Sequence, residues 1–259
     1  MTHLSTASSM AGRVALVTGA ARGISLSTVR LLSEQGVRIA AFDLPGSDWS
    51  EVTQVTGTSA LLIEGDVANP ADWDRCISQT LSQFSQLDIL VNNAGISGAL
   101  CSLTRYDDDV FDKVMSVNVK GVYLGLKHGA SAMGTRGGSI INVSSVSGIG
   151  GGRFTIAYTA SKHAVVGMTK LAAAELAQKN IRVNAVCPAP TATEMMFSME
   201  RTHSPDDPAA VRRAMTGMIP LGRYGEPSEI AAVIVFMASD GASFMTGTAV
   251  PVDGGLKAA

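Results

Sequence analysis

A chain of 259 residues with 46% hydrophobic and 16% charged side chains can bury a substantial core, which excludes intrinsic disorder. A formal net charge of −2 leaves no electrostatic footprint for nucleic acid or an anionic membrane surface. No run approaches the roughly 18 apolar residues that span a bilayer. The opening MTHLSTASSMAG lacks the basic start and apolar core of a signal peptide, so a loose tail over 1–11 and a cytoplasmic location are expected.

Apolar runs of strand length recur along the chain: RVALV (13–17), VRIAAF (37–42), ALLI (60–63), LDILV (87–91), SIINV (139–143), IRVNAV (181–186) and TAVPV (248–252). Most are continuous rather than alternating, as expected of parallel strands covered on both faces. Segments of helical spacing lie between them: STVRLLSEQ leading to a C-cap at Gly36, DWDRCISQTLSQF, a long stretch from Phe111 to Met133, YTASKHAVVGMTKLAAAELAQKN, and EPSEIAAVIVFMAS. This alternation predicts an α/β fold: one doubly wound, Rossmann-like domain over 12–259, with about seven parallel strands and helices on both faces. The stretch 191–217, rich in Met, Pro and charge, reads as an irregular flap over the site. Cys76, Cys101 and Cys187 have no metal-ligand spacing, so no metal site and a reduced compartment are expected, with Cys187 a small core residue.

TGAARGIS (18–25) follows the first strand and opens the first helix. Gly19 allows a tight turn there, and Gly23 lets backbone approach a pyrophosphate at the helix N-terminus, where free N–H groups and the helix dipole favour anions. A glycine turn alone is weak evidence. The second strand ends in Asp43, about twenty residues on, where a carboxylate can accept from ribose hydroxyls and repel a 2′-phosphate. Arg22 pulls the other way, toward a 2′-phosphate, unless it is only a surface cation. Asp43 decides the expectation for NAD.

Tyr158 and Lys162 in YTASK lie four apart on a predicted helix, so hydroxyl and ammonium can converge. Ser145 lies thirteen residues before the tyrosine. A lysine charge would lower a tyrosine pKa of about 10 toward neutrality, while the serine holds a substrate oxygen. Each piece taken alone has an ordinary structural reading. Their order and spacing together do not.

With these motifs the sequence resembles the short-chain dehydrogenases/reductases along about residues 12–255, through TGAARGIS, Asp43, DV (66–67), NNAG (92–95), VNVKG (117–121), SSVSG (144–148), YTASK, CPAPTAT (187–193) and VDGG (252–255). The resemblance implies Tyr158 as general acid/base, Lys162 lowering its pKa and holding the nicotinamide ribose, Ser145 orienting the substrate, and Asn118 holding a relay water. It implies Gly19, Arg22, Gly23 and Ile24 as cofactor-binding residues of the glycine turn, Asp66 and Val67 at the adenine, and Asn92, Asn93, Ala94 and Gly95 along the cofactor. Pro188, Thr191 and Thr193 would meet the nicotinamide. Asn92 is open between ligand contact and sheet support, and Gly121 reads as a packing residue.

The expected activity is NAD(H)-dependent interconversion of a secondary alcohol and a ketone. Ser97, Val146, Ser147, Gly150, Phe154, Pro190, Met195, Met196 and Met199 would wall the substrate pocket. The methionines there would make an adaptable apolar wall for a cyclic or aromatic substrate, or else simply fill core. No arginine or lysine obviously faces this pocket to fix a carboxylate or phosphate, with Arg153 and Arg201 left open. A dehydratase or epimerase, or a non-catalytic cofactor-binding protein, stays open as an alternative, and the resemblance implies a homotetramer. Two positions depart from the family pattern, Ser25 for the third glycine and Ala189 for the glycine after Pro188. Ser25 is expected to bond a free N–H at the helix start. The two changes are either tolerated or reshape the site.

Overall fold

The computed structural model describes residues 10–258. Its elements run β1 (Val14–Thr18), α1 (Gly23–Glu34), β2 (Arg38–Asp43), α2 (Ser50–Thr56), β3 (Leu61–Glu64), α3 (Pro70–Phe84), β4 (Ile89–Asn92) and α4 (Asp108–Met115). They continue α5 (Gly121–Met133), β5 (Gly138–Val143), α6 (Ile156–Leu176), β6 (Ile181–Pro188), α7 (Glu194–His203), α8 (Pro208–Gly217), α9 (Pro227–Ala238) and β7 (Ala249–Val252). The seven strands form one parallel sheet in the order β3-β2-β1-β4-β5-β6-β7.

Side chains alternate across the sheet and divide the core in two. From β1, Val14 and Leu16 join Phe42, Trp73, Leu90, Ile140 and Val165 under α3, α5 and α6. Ala15 and Val17 face the other way, toward Val29 and Leu32 of α1 and Ile230 and Ile234 of α9. Burying each such aliphatic side chain contributes about 1.5–3 kcal/mol, so two covered faces explain why the strands read as unbroken apolar runs. Helix ends follow local chemistry. Asn69 caps α3 ahead of Pro70, Asp107 caps α4, and Gly36 (φ 76) closes α1, with the Val37 N–H on the Leu32 carbonyl.

Three expectations need correction. The helical stretch from Phe111 to Met133 is interrupted by a π-helical turn over Ser116–Lys120. The flap is two ordinary helices, α7 and α8, rather than irregular chain. Asp207 and Pro208 start α8, and Arg212 clamps the buried Glu200 of α7 with bonds of 3.0 and 2.7 Å. That clamp holds the Glu200 carboxyl below the usual carboxylate range. Of the expected tail, residues 1–9 lie outside the described residues, whereas Met10 is fully buried against the α1 and α9 layer.

Candidate active site

Because β1 through β3 run outward one way and β4 through β7 the other, the strand order reverses between β1 and β4. A crevice opens at their carboxyl ends, the place where open α/β sheets hold ligands. Gly19 (φ 65) and Gly23 (φ 60) adopt the left-handed conformation that lets the TGAARGIS turn leave β1 and start α1. No side chain caps α1, whose N-cap is the exposed Arg22 followed by Gly23 and Ile24, so its first N–H groups are left for an anion. Thr18, not singled out from the sequence, holds the crevice together. Its hydroxyl oxygen accepts from the N–H groups of Asn93 and Ala94 at 3.0 and 3.1 Å, seating NNAG beside the glycine turn.

Asp43 sits at the end of β2, where its carboxylate already braces the turn, accepting from the N–H groups of Ala21 (2.9 Å) and Leu44 (2.8 Å). A carboxylate has about four acceptor positions, so two remain for hydroxyl donors. Asp66 accepts from Ala68 N–H at 2.8 Å, and Val67 is buried beside Gly121. Asn92 belongs to the sheet: buried, it donates to the Asn142 side chain at 2.9 Å. Across the crevice, Thr193 starts α7 with its methyl group beside Gly23. The buried Thr191 bonds the Ala189 carbonyl at 2.9 Å, and the bridge between Thr191 and Gly225 fixes the strand that leads there from Pro188.

Ser145, Tyr158 and Lys162 meet at the end of β5. Ser145 is buried just past that strand and its hydroxyl faces Tyr158. Lys162 is buried one helical turn from the tyrosine, its ammonium 5.5 Å from the ring centre and donating to the Val143 carbonyl at 2.8 Å. The expected lowering of the Tyr158 pKa is reversed. Burial pushes the Tyr158 hydroxyl above its ordinary pKa, with the Ser145 hydroxyl only partly offsetting it. Burial also depresses Lys162 from 10.5 to about 8. Desolvation disfavours both charged forms and sets the direction at each group.

Asn118 lies in the π-helical turn with its side chain fully engaged. It accepts from Ile96 N–H (2.8 Å) and donates to the Ile96 carbonyl (2.9 Å) and the Ser161 hydroxyl (3.0 Å). The Ser161 hydroxyl in turn donates to the Tyr158 carbonyl at 2.7 Å, so Asn118 ties the loop after NNAG to the Tyr158 helix. A relay water would therefore rest on backbone rather than on the Asn118 amide. Ser161 is legible in YTASK only as a spacer, since its partner is 43 residues away.

Ser25 does not bond a helix N–H. The helix begins at Gly23, so Ser25 lies inside its first turn, where it is fully buried and donates to the Thr18 carbonyl at 2.8 Å. Its Cβ and hydroxyl fill the helix–sheet contact. Ser25→Gly is expected to lose about 1–2 kcal/mol of stability while leaving cofactor KM unchanged. Thermal unfolding and initial rates would check this, and a shifted KM would show that the hydroxyl acts on the crevice after all.

The candidate pocket residues scatter more widely. Ser97 follows Ile96, while Val146, Ser147, Gly150 and Phe154 lie on the loop from Ser145 to α6. Pro190 accepts from Gly225 N–H, and Met195, Met196 and Met199 lie on α7, where Met195 is exposed and none is core. A partly open cavity of about 150 Å³ lies instead beside Ala189, between Ile219, Leu221, Ile230 and Val252. Cys187 is buried, as expected of a core residue. No helix among the described residues is long and apolar enough to cross a membrane.

The chain matches, over residues 19–257, the family described as Enoyl-(Acyl carrier protein) reductase. It is 39% identical over 254 residues to (+)-borneol dehydrogenase 2 of Salvia officinalis, covering 95% of this chain and 89% of that one. It is 36% identical to trans-4-hydroxycyclohexanecarboxylate dehydrogenase of Sinomonas cyclohexanicum, covering 96% and 94%. The crystal structure of levodione reductase superposes with a TM-score of 0.93 at 34% identity, covering 96% of this chain and 99% of that one.

Proposed function

The chain belongs to the short-chain dehydrogenase/reductase family of oxidoreductases, and from that premise we propose that it interconverts a secondary ring alcohol and its ketone using NAD(H). The observation that carries this reading is the convergence of Ser145, Tyr158 and Lys162 at the carboxyl end of β5, on the same edge of the parallel sheet as the uncapped start of α1. A nicotinamide cofactor fits the residues present. The glycine turn and the free N–H groups of α1 would take its pyrophosphate, and Asp43 its adenosine ribose. Asp66 and Val67 would border the adenine. Asn93, Ala94, Gly95, Pro188, Thr191 and Thr193 would border the nicotinamide half. When bound, the cofactor supplies or accepts the hydride.

The protein's own part is proton transfer and orientation. Ser145 donates to the substrate oxygen and holds it beside the Tyr158 hydroxyl. In the reducing direction Tyr158 gives its proton to that oxygen, and in the oxidising direction it takes the proton back. Lys162, charged below about pH 8, stabilises the negative charge that builds up on Tyr158. Asn118 and Ser161 position the tyrosine helix. The names of the relatives, borneol and hydroxycyclohexanecarboxylate dehydrogenases and levodione reductase, support a ring substrate. Exposed Tyr123, Leu171, Phe236 and Phe244 supply apolar surface for the tetramer that the family resemblance implies.

The test is a panel of cyclic and acyclic ketones with NADH and with NADPH, followed by loss of reduced-nicotinamide absorbance. Turnover of ring ketones with NADH preferred is expected. No absorbance change with any ketone or alcohol would favour a dehydratase or epimerase, or a protein without turnover. In Asp43→Ser the ratio of kcat/KM for NADPH over NADH is expected to rise about 30-fold. Such a change corresponds to about 2 kcal/mol, the size of one charged hydrogen bond, and the exposed Arg22 stands ready for the 2′-phosphate. An unchanged ratio would remove Asp43 from cofactor selection.

A further inference from the structure

We infer that Lys257, on the turn after β7, anchors a carboxylate on the substrate, so that the preferred substrates are ring ketones and alcohols bearing an acid group. This rests on the oxidoreductase reading above. Asp253 shapes the turn, its carboxylate accepting from the N–H groups of Gly255 (3.0 Å) and Lys257 (2.9 Å), while the Gly254 carbonyl accepts from Leu221 N–H. From that fixed backbone the Lys257 side chain reaches the loop between Ser145 and α6. A Cβ added to Gly150 would lie 2.1 Å from the Lys257 ammonium and 2.9 Å from its Cε. The tip of the lysine thus occupies the space beside Gly150 that a side chain there would take. Gly150 itself lies over the Val146 carbonyl, next in sequence to Ser145.

Two cations border this loop at separate points, and neither has a carboxylate partner among the described residues. One is Lys257. The other is Arg153, whose guanidinium lies 5.2 Å from the centre of the Phe154 ring. The only carboxylate engaged on the lysine's turn is Asp253, already turned to backbone N–H groups. Phe154 is held at φ 65, where a bulky residue is uncommon, and its ring is 47% exposed. Its carbonyl accepts from Cys101 N–H at 3.0 Å, which holds the strained residue in place. Residues kept in such conformations cluster at ligand clamps. An exposed aromatic ring with Arg153 over it, on a loop that meets Lys257 at Gly150, suits a ligand with an apolar ring and an anionic substituent. The loop carrying these groups leads directly from Ser145 to Tyr158, so an acid placed there belongs to the molecule whose oxygen those residues hold.

The experiment compares 4-oxocyclohexanecarboxylate with its methyl ester and measures the acid-to-ester ratio of kcat/KM. In the natural protein the acid is expected to be preferred. In Lys257→Ala that ratio should fall about tenfold, mostly through the KM of the acid. It should recover in Lys257→Arg and fall further in Lys257→Glu. Equal use of acid and ester by the natural protein, or a ratio unmoved by Lys257→Ala, would overturn the inference while leaving the oxidoreductase reading intact. Failure to turn over either compound, or any other ring ketone or alcohol, would overturn that reading and the inference with it.

Discussion

Tyr158→Phe is expected to lower kcat by about 10³-fold, in line with the 10²–10⁴-fold typical of a positioned general acid or base, while NADH binding stays within about twofold. The substitution removes one oxygen and keeps the half-buried ring, with its contact to the Lys162 ammonium. The proposed cofactor contacts of Gly23, Asp43 and Thr193 lie on other elements and are untouched. Because burial holds the Tyr158 pKa high, the proton stays on the phenol at neutral pH. Carbonyl reduction, which consumes that proton, should thus keep its rate through neutral pH, whereas alcohol oxidation should climb as pH rises. Single-turnover rates in both directions, beside a fluorescence titration of NADH, separate chemistry from binding. Retained turnover would sink the mechanism.

The second large effect is on stability. Lys162→Met is expected to abolish most activity and yet to raise the unfolding midpoint at pH 7. Lys162 titrates near 8 when folded, against 10.5 when exposed. Between those values the unfolded chain binds the extra proton, so stability rises with pH across that window. Below it the buried charge costs about 3 kcal/mol, taking about 1.4 kcal/mol for each pH unit of displacement. Methionine keeps the apolar stem and removes the charge, but leaves the Val143 carbonyl without its 2.8 Å donor. That loss costs about 1–2 kcal/mol. The net gain at pH 7 is then about 1–2 kcal/mol, or a few degrees in Tm for a domain of this size. It should shrink through pH 8 to 10 and reverse above that range, where natural Lys162 is neutral and only the lost hydrogen bond remains. Melting curves at fixed protein concentration over that pH range check this. A variant less stable at every pH would show that the ammonium is better solvated than its burial implies.

A charge kept in place at such a cost is understandable only as part of the chemistry, which connects the two predictions. Tyr158 carries the proton, and Lys162 supplies the nearby charge when negative charge builds up on the phenol. The energetic conflict is built into the end of β5, where Ser145 and the Val143 carbonyl converge with Lys162 in one buried corner of the crevice.

Much of this was legible from the chain alone, for reasons of local physics. Unbroken apolar runs meant strands covered on both faces, and two core layers cover them. Gly19, Gly23 and Gly36 marked turns because only glycine enters the left-handed region without strain, and all three have positive φ. The spacing of Tyr158 and Lys162 placed them on one helix face, an expectation that needs nothing beyond 3.6 residues per turn. The rest depended on partners far away in sequence. Ser25 had a plausible cap role until the Thr18 carbonyl proved nearer than any free N–H. The flap looked irregular because nothing local announces that Glu200 will be buried under Arg212. The pKa directions at Tyr158 and Lys162 follow from desolvation by several elements at once, which no spacing rule encodes. Lys257 reads as an ordinary charged residue near the end of the sequence until the turn after β7 lays it against Gly150. Periodicity and turn chemistry are properties of neighbours, so the sequence determined the fold, the crevice and the reacting trio. Burial and hydrogen-bond partnership are properties of the assembled sheet, so only the tertiary structure decided which groups stay charged and what the loop beyond Ser145 can bind.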